Sequence, residues 1–220
     1  MGAAAELTGL KRLWQLGFGD PMEWIDKFFS DYSTVANRYD TLIDGQPVAE
    51  LHALRYRGGA YIYGVTTHPD YRRRGLGLRL MATALEDLCR QGAPQAMLIA
   101  ERPELRRWYA AMGFSLAGGI VEVTGYTGEN LGMDDAALNV PMLRVASAEA
   151  YIDAYRTRHP EWQPREIAVS DPLVAGNCGI YRADGSFEHT PQPAQGAVTP
   201  AGLARMLPAE PEPHITIPPQ

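Results

Sequence analysis

Cysteine is nearly absent: Cys89 and Cys178 are the only two in 220 residues, which excludes a disulfide framework and any cysteine-based zinc spacing. Lysine is equally scarce. Lys11 and Lys27 stand against eighteen arginines, a bias that, with abundant Ala, Gly and Pro, fits a GC-rich bacterial source. The formal net charge is −6, so no basic field exists to hold nucleic acid or an anionic membrane. No segment approaches the roughly 20 apolar residues that span a bilayer, and the first residues lack the sustained apolar stretch of a signal peptide. Glu6 occupies the position where N-myristoylation wants Ser or Thr. A soluble, cytoplasmic protein is the expectation. His52, His159, His189 and His214 show no ligand spacing, so no metal is expected. Two nucleotide motifs are also missing: Leu80 fills the third glycine position of G-x-G-x-x-G, and no G-K-[ST] triplet occurs.

What is present begins with Tyr71-Arg72-Arg73-Arg74-Gly75-Leu76-Gly77. The heptapeptide sits between a strand-like apolar run, Tyr61 to Thr67, and an amphipathic helical pattern from Leu76 to Leu88. Gly75 and Gly77 let backbone approach a ligand closely, and the helix they open turns its unpaired N–H groups and positive dipole end toward an anion. Three arginines add permanent positive charge. Read from the residues, this is a pyrophosphate cradle; as punctuation it would be only a solvated turn.

At 45% hydrophobic residues, the chain can hold one large domain or one medium and one small. Leu7, Leu10, Leu13, Trp14 and Leu16 predict one helix, and Met22, Trp24, Ile25, Phe28 and Phe29 a second. Asp44-Gly45 predicts a hairpin between 38–43 and 47–56. Gly64, inside the strand 60–67, predicts a bulge or a close backbone approach. Helix 76–88, apolar strand 96–100, a helix after Pro103 and a strand over 114–123 follow. Beyond the Gly-rich connection 125–135, a strand at 140–145 is expected to open a second unit. A helix capped by Ser147, strands near 166–169, 178–182 and 186–189, a helix after Thr199 and an edge strand at 214–217 would complete it.

Three pieces, R-x-x-G-x-G at Arg72, Gly75 and Gly77, the run Tyr61-Ile62-Tyr63-x-Val65-x-Thr67-x-Pro69-Asp70-Tyr71-Arg72, and Tyr109-x-x-x-Gly113-Phe114, resemble the GNAT acetyltransferase superfamily. Val169-x-Asp171 and Asn177-x-Gly179-x-Tyr181 resemble the sterol-carrier-like half-domain of its enhanced-intracellular-survival branch. The resemblance implies an α+β fold: a GNAT mixed sheet flanked by helices over 5–125, with a small sterol-carrier-like α+β subdomain over 137–217.

It also implies an N-acetyltransferase that moves an acetyl group from acetyl-CoA to a primary amine by direct attack in a ternary complex, without a cysteine nucleophile. The amine would be carried by a small molecule or a peptide. Backbone at Val65, Thr66 and Thr67 would pair with the pantetheine arm, and Arg72, Arg73, Arg74, Gly75, Leu76 and Gly77 would bind the pyrophosphate. Tyr109 would be the general acid toward the CoA sulfur, a role suited to a phenol that stays protonated at neutral pH. For the base, Glu50 is the first candidate, with His68, Glu101 and the terminal carboxylate of Gln220 as others. Trp14, Phe18, Trp24, Phe28 and Tyr32 could wall an acceptor pocket or simply pack two helices. Exposed sheet edges leave room for a homodimer. The rival reading is a catalytically silent acyl-CoA-binding sensor or docking module.

Overall fold

The computed structural model describes residues 3–32, 36–100, 102–117, 122–124, 141–163, 165–191, 194–208 and 214–216. Its elements are α1 (Ala3–Phe18), α2 (Met22–Tyr32), β1 (Ala36–Ile43), β2 (Gln46–Tyr56), β3 (Gly59–Thr67), α3 (Leu76–Arg90), β4 (Gln95–Ile99), α4 (Pro103–Ala111), β5 (Ser115–Leu116), β6 (Glu122–Thr124), β7 (Pro141–Val145), α5 (Ala148–Arg158), β8 (Ile167–Val169), β9 (Gly179–Tyr181), β10 (Phe187–His189), α6 (Pro200–Met206) and β11 (His214–Thr216). They fall into two compact units. The first takes the described residues up to Arg55 together with Tyr61–Ala84, the second Tyr56–Ala60 and the described residues from Leu85 on. No helix among the described residues is long and apolar enough to cross a membrane.

In the first unit β1, β2 and β3 lie side by side. The Asp44-Gly45 turn has positive φ at both residues, 50° and 74°, as a tight primed turn requires, and it sets Asp40 opposite Glu50 and Arg38 opposite His52. The α1–α2 corner follows from its sequence as well. Gly19, at φ 78°, ends α1 by returning its N–H to the Gln15 carbonyl, which is the left-handed helix stop. Asp20 then accepts from Trp14 Nε1 at 2.8 Å, giving a nearly buried indole its polar partner. Lys11 on α1 ties to Asp26 on α2.

Trp14 is the centre of this unit's core. Its ring lies 4.6–5.9 Å from those of Phe18, Trp24, Phe28, Phe29, His52 and Tyr63, and only 1% of Trp14 and of Phe28 is exposed. Those aromatics pack helices on the sheet. Phe18 is about half exposed, and Trp24 and Tyr63 are half-buried. The expected close approach at Gly64 is made by the same indole: φ is 63°, and a Cβ there would stand 2.5 Å from Trp14. Gly64→Ala combines a left-handed backbone with overpacking against an immobile ring, so we expect a loss of about 2–3 kcal/mol, measured as a shift of the urea midpoint at constant slope. An unchanged midpoint would refute the tight seat.

In the second unit β7 lies between β4 and β5, antiparallel to both. The strand expected to open a separate C-terminal unit is therefore a sheet neighbour of β4. Its apolar residues explain this, since Met142 and Val145 are buried as in a central strand. The single strand expected over 114–123 is also corrected: Ser115–Leu116 pairs with β7, whereas Glu122–Thr124 pairs in parallel with β11. The hairpin around Ala183-Asp184-Gly185 is present as β9–β10, with β8 on the other side of β9. Ser147 caps α5 and Thr199 caps α6 through their hydroxyls. Tyr151, Ile152, Val169, Tyr181 and Leu203 form the core beneath them.

Candidate functional site

The loop after β3 is built from its own sequence. His68 N–H donates to the Val48 carbonyl at 2.8 Å, holding the strand end on β2. Nδ1 of the same histidine accepts from Asp70 N–H and caps the short 3₁₀ turn Pro69–Tyr71. Arg72 Nε donates to the Thr67 carbonyl at 3.1 Å, and an Arg74 terminal nitrogen to the Asp70 carbonyl at 2.8 Å, with its guanidinium 4.9 Å above the Tyr71 ring. Two of the three arginines thus brace the loop while keeping further N–H groups for a ligand. Arg73 has φ 60° and Gly75 φ 75°; left-handed residues at this spacing turn successive backbone N–H groups inward to make an anion-binding nest.

Helix α3 opens directly on that nest. Its first internal bond is Arg79 N–H to the Gly75 carbonyl at 3.0 Å, so the N–H groups of Leu76, Gly77 and Leu78 have no intrahelical acceptor. Helices α1, α2, α4 and α5 each place a glutamate in the first turn, whereas α3 has no acidic residue there. Its positive end is left for an outside anion. Of the expected pantetheine segment, Thr66 is buried and Val65 and Thr67 are half-buried, with the Thr67 carbonyl already accepting from Arg72. Residues 72–77 form one continuous turn that runs into α3.

Glu50 lies on β2 and is wholly buried. Neither carboxylate oxygen has a hydrogen-bond partner, nor has Nε2 of buried His52, 3.6 Å away. Burial drives the Glu50 pKa from 4.5 up to about 9 and the His52 pKa from 6.5 down to about 3, in each case against or with a smaller contribution from Arg38. A carboxyl held that high is a poor proton acceptor at neutral pH. The two side chains make a neutral carboxylic acid–imidazole pair, with His52 set among Trp14, Phe28 and Phe29. Sequence reading singled out Glu50 but passed over His52, although the i, i+2 spacing on a strand puts both on one face. His68, the other described base candidate, accepts at Nδ1 from Asp70 N–H; Glu101 and Gln220 lie outside the described residues.

In the second unit Tyr109 occupies the last turn of α4 and is buried between Trp108 and Phe114, with ring centroids at 4.8 and 5.8 Å. Burial pushes its phenol pKa up, so it stays a proton donor at physiological pH. The Cys89 thiol is pushed up to about 11, first by burial and then by Glu86 and Asp171, which suits packing and not nucleophilic attack. No cluster of potential metal ligands exists among the described residues.

Residues 8–114 match the model of the Acetyltransferase (GNAT) family. No curated protein matches the sequence. Among solved structures, the ribosomal-protein-S18-alanine N-acetyltransferase of Escherichia coli superposes with a TM-score of 0.51 at 18% identity, over 67% of this chain and 91% of that one. Aminoglycoside 6'-acetyltransferase type Ii gives 0.51 at 14% identity, over 66% and 92%. A GNAT family N-acetyltransferase (YhbS) of Escherichia coli in complex with CoA gives 0.50 at 14% identity, over 67% and 79%. At these identities the likeness is one of fold. With the family model matching residues 8–114 and the superpositions spanning about two thirds of the chain, the protein has the mixed α+β fold of the GNAT acetyltransferases.

Proposed function

We propose that the protein transfers an acetyl group from acetyl-CoA to a primary amine within a ternary complex. The observation that supports this best is the 72–77 cradle: a left-handed pair at Arg73 and Gly75, three free helix N–H groups, and no competing carboxylate in the first turn of α3. A diphosphate satisfies all three at once. The structural neighbours named above include a ribosomal-protein-S18-alanine N-acetyltransferase and an aminoglycoside 6'-acetyltransferase, whose acceptors present amines. In the reaction, the amine lone pair attacks the thioester carbonyl carbon, the C–S bond breaks, and Tyr109 gives its phenolic proton to the departing thiolate. The proton lost by the amine passes to solvent, from which the phenolate is reprotonated. Holding both reactants together supplies much of the rate, and the phenol supplies the proton where charge develops.

Calorimetry with CoA, and free-thiol release from acetyl-CoA with polyamine, aminoglycoside and peptide acceptors, test the proposal. Gly75→Ala should weaken CoA binding about tenfold at little cost in stability, because its Cβ would meet nothing closer than 4.0 Å and only the positive φ is strained, by roughly 1 kcal/mol. Absence of CoA binding by folded protein at millimolar concentration would refute it. A second reading, a silent acyl-CoA-binding module, is favoured by one observation, the sealed and protonated Glu50. Tyr109→Phe separates the two: about a hundredfold loss of kcat with CoA affinity held marks an enzyme, whereas a silent module shows no turnover to lose. We also read 137–217 as the sterol-carrier-like subdomain; that reading rests on the motifs at Asp171 and Asn177.

A further inference from the structure

We propose that Arg144, oriented by Asp171, is a positioning residue that fixes Tyr109 through the C-terminal cap of α4; this rests on the acetyl-transfer reading above. The cap itself is a local device. Met112 and Phe114 N–H groups both return to the Tyr109 carbonyl, at 2.9 and 3.2 Å, and Gly113 takes φ 88°, as a left-handed helix end does. That turn points the Met112 carbonyl away from the helix. Arg144, on β7 and 2% exposed, donates Nε to it at 2.7 Å. A Cβ on residue 113 would stand 3.4 Å from that nitrogen, so the guanidinium lies directly on the cap.

Both terminal nitrogens of the fork are engaged as well. One terminal nitrogen donates to the Val145 carbonyl, and the other lies 2.7 Å from both oxygens of Asp171. Asp171 accepts in addition from Leu173 and Val174 N–H and from Asn177 Nδ2, at 3.0, 3.2 and 2.9 Å. A buried ion pair gives little net stability over an apolar filler of the same volume. What it supplies is direction: the planar guanidinium must present Nε to the Met112 carbonyl while one terminal nitrogen stays on the Val145 carbonyl and the other on Asp171. Tyr109 is one helical turn before the fixed carbonyl, and its own carbonyl carries the cap. A catalytic group displaced by about 1 Å can cost a hundredfold in rate.

Arg144→Lys keeps the charge but cannot make the fork. We expect kcat for acetyl transfer to fall 10- to 100-fold, with KM for acetyl-CoA within twofold. In a Tyr109→Phe background the same change should cost less than threefold further, because the group it acts through has gone. Equal, multiplying losses in both backgrounds, or an unchanged kcat, would overturn the inference. Should Arg144→Lys fail to fold, the paired replacement Arg144→Met with Asp171→Leu removes the fork while filling its volume, with the same expected pattern. Fluorine NMR of 3-fluorotyrosine incorporated at position 109 reads the geometry without turnover. The inference expects a shifted or broadened resonance when the fork is lost, and an identical resonance would overturn it. If the unmodified protein transfers no acetyl group to any acceptor, the functional reading falls, while the fluorine measurement still decides whether Arg144 holds Tyr109.

Discussion

Asp171→Ala is expected to lower the free energy of unfolding by about 3–5 kcal/mol, the cost of leaving a buried charge without its partner. Arg144 has almost no access to water, and its guanidinium would lose the only carboxylate within 4.0 Å among the described residues. Leu173 and Val174 N–H groups and Asn177 Nδ2 would lose an acceptor in the same step. The damage would spread along Asn177, whose Nδ2 also donates to the Ala146 carbonyl and whose Oδ1 accepts from Ala148 N–H at the start of α5. Urea unfolding at fixed pH measures the loss. The control is Asp31→Ala, which breaks the exposed Lys27–Asp31 pair and should change stability by less than about 0.5 kcal/mol. A loss below 1 kcal/mol for Asp171→Ala would mean that water reaches the guanidinium.

How far this network could be read from sequence depends on the residue. Asp171 and Asn177 stood out in motifs, and Gly113-Phe114 marked the end of α4. Arg144 stood unremarked in Pro141-Met142-Leu143-Arg144-Val145, although one arginine in an apolar strand is a signal for a buried partner. Its partner, 27 residues on, is a tertiary fact that no local pattern encodes. The same division runs through the fold. The helices, the Asp44-Gly45 hairpin and the 72–77 loop follow from periodicity and turn chemistry, because their bonds are local. The placement of β7 between β4 and β5 and the pairing of β6 with β11 depend on distant strands, and there the sequence reading failed. Gly64 was legible as a close approach, but not that Trp14 makes it. Glu50 was legible as a polar residue in a strand; its burial, which reverses the protonation expected of a base, was not.

That burial predicts a stability profile governed by pH. Glu50 has a folded pKa of about 9 against an ordinary 4.5, so its contribution is complete below pH 4.5 and is lost as pH rises toward 9. His52 has a folded pKa of about 3 against 6.5, so its contribution is complete above pH 6.5 and is lost as pH falls toward 3. Between 4.5 and 6.5 the two effects cancel, since folded and unfolded chains each hold one proton on the pair. Above pH 6.5 only the folded chain holds it, and stability should fall by about 1.4 kcal/mol per pH unit. The groups around the pair are Asp40 and Arg38 opposite on β1, with Arg38 bonded also to Glu6 of α1, and the uncharged Trp14, Phe28 and Phe29 of α1 and α2. Other titrating groups act on any single curve, so the test is the difference between the unmodified protein and Glu50→Gln. The amide copies the protonated acid in shape, but it has no proton to lose. Relative to the unmodified protein, Glu50→Gln should gain about 2.3 kcal/mol between pH 7 and pH 9, the slope easing as Glu50 itself titrates near 9, read from urea midpoints at each pH. Parallel curves across that interval would mean that Glu50 is ionised in the folded chain, and would restore it as a base available at neutral pH.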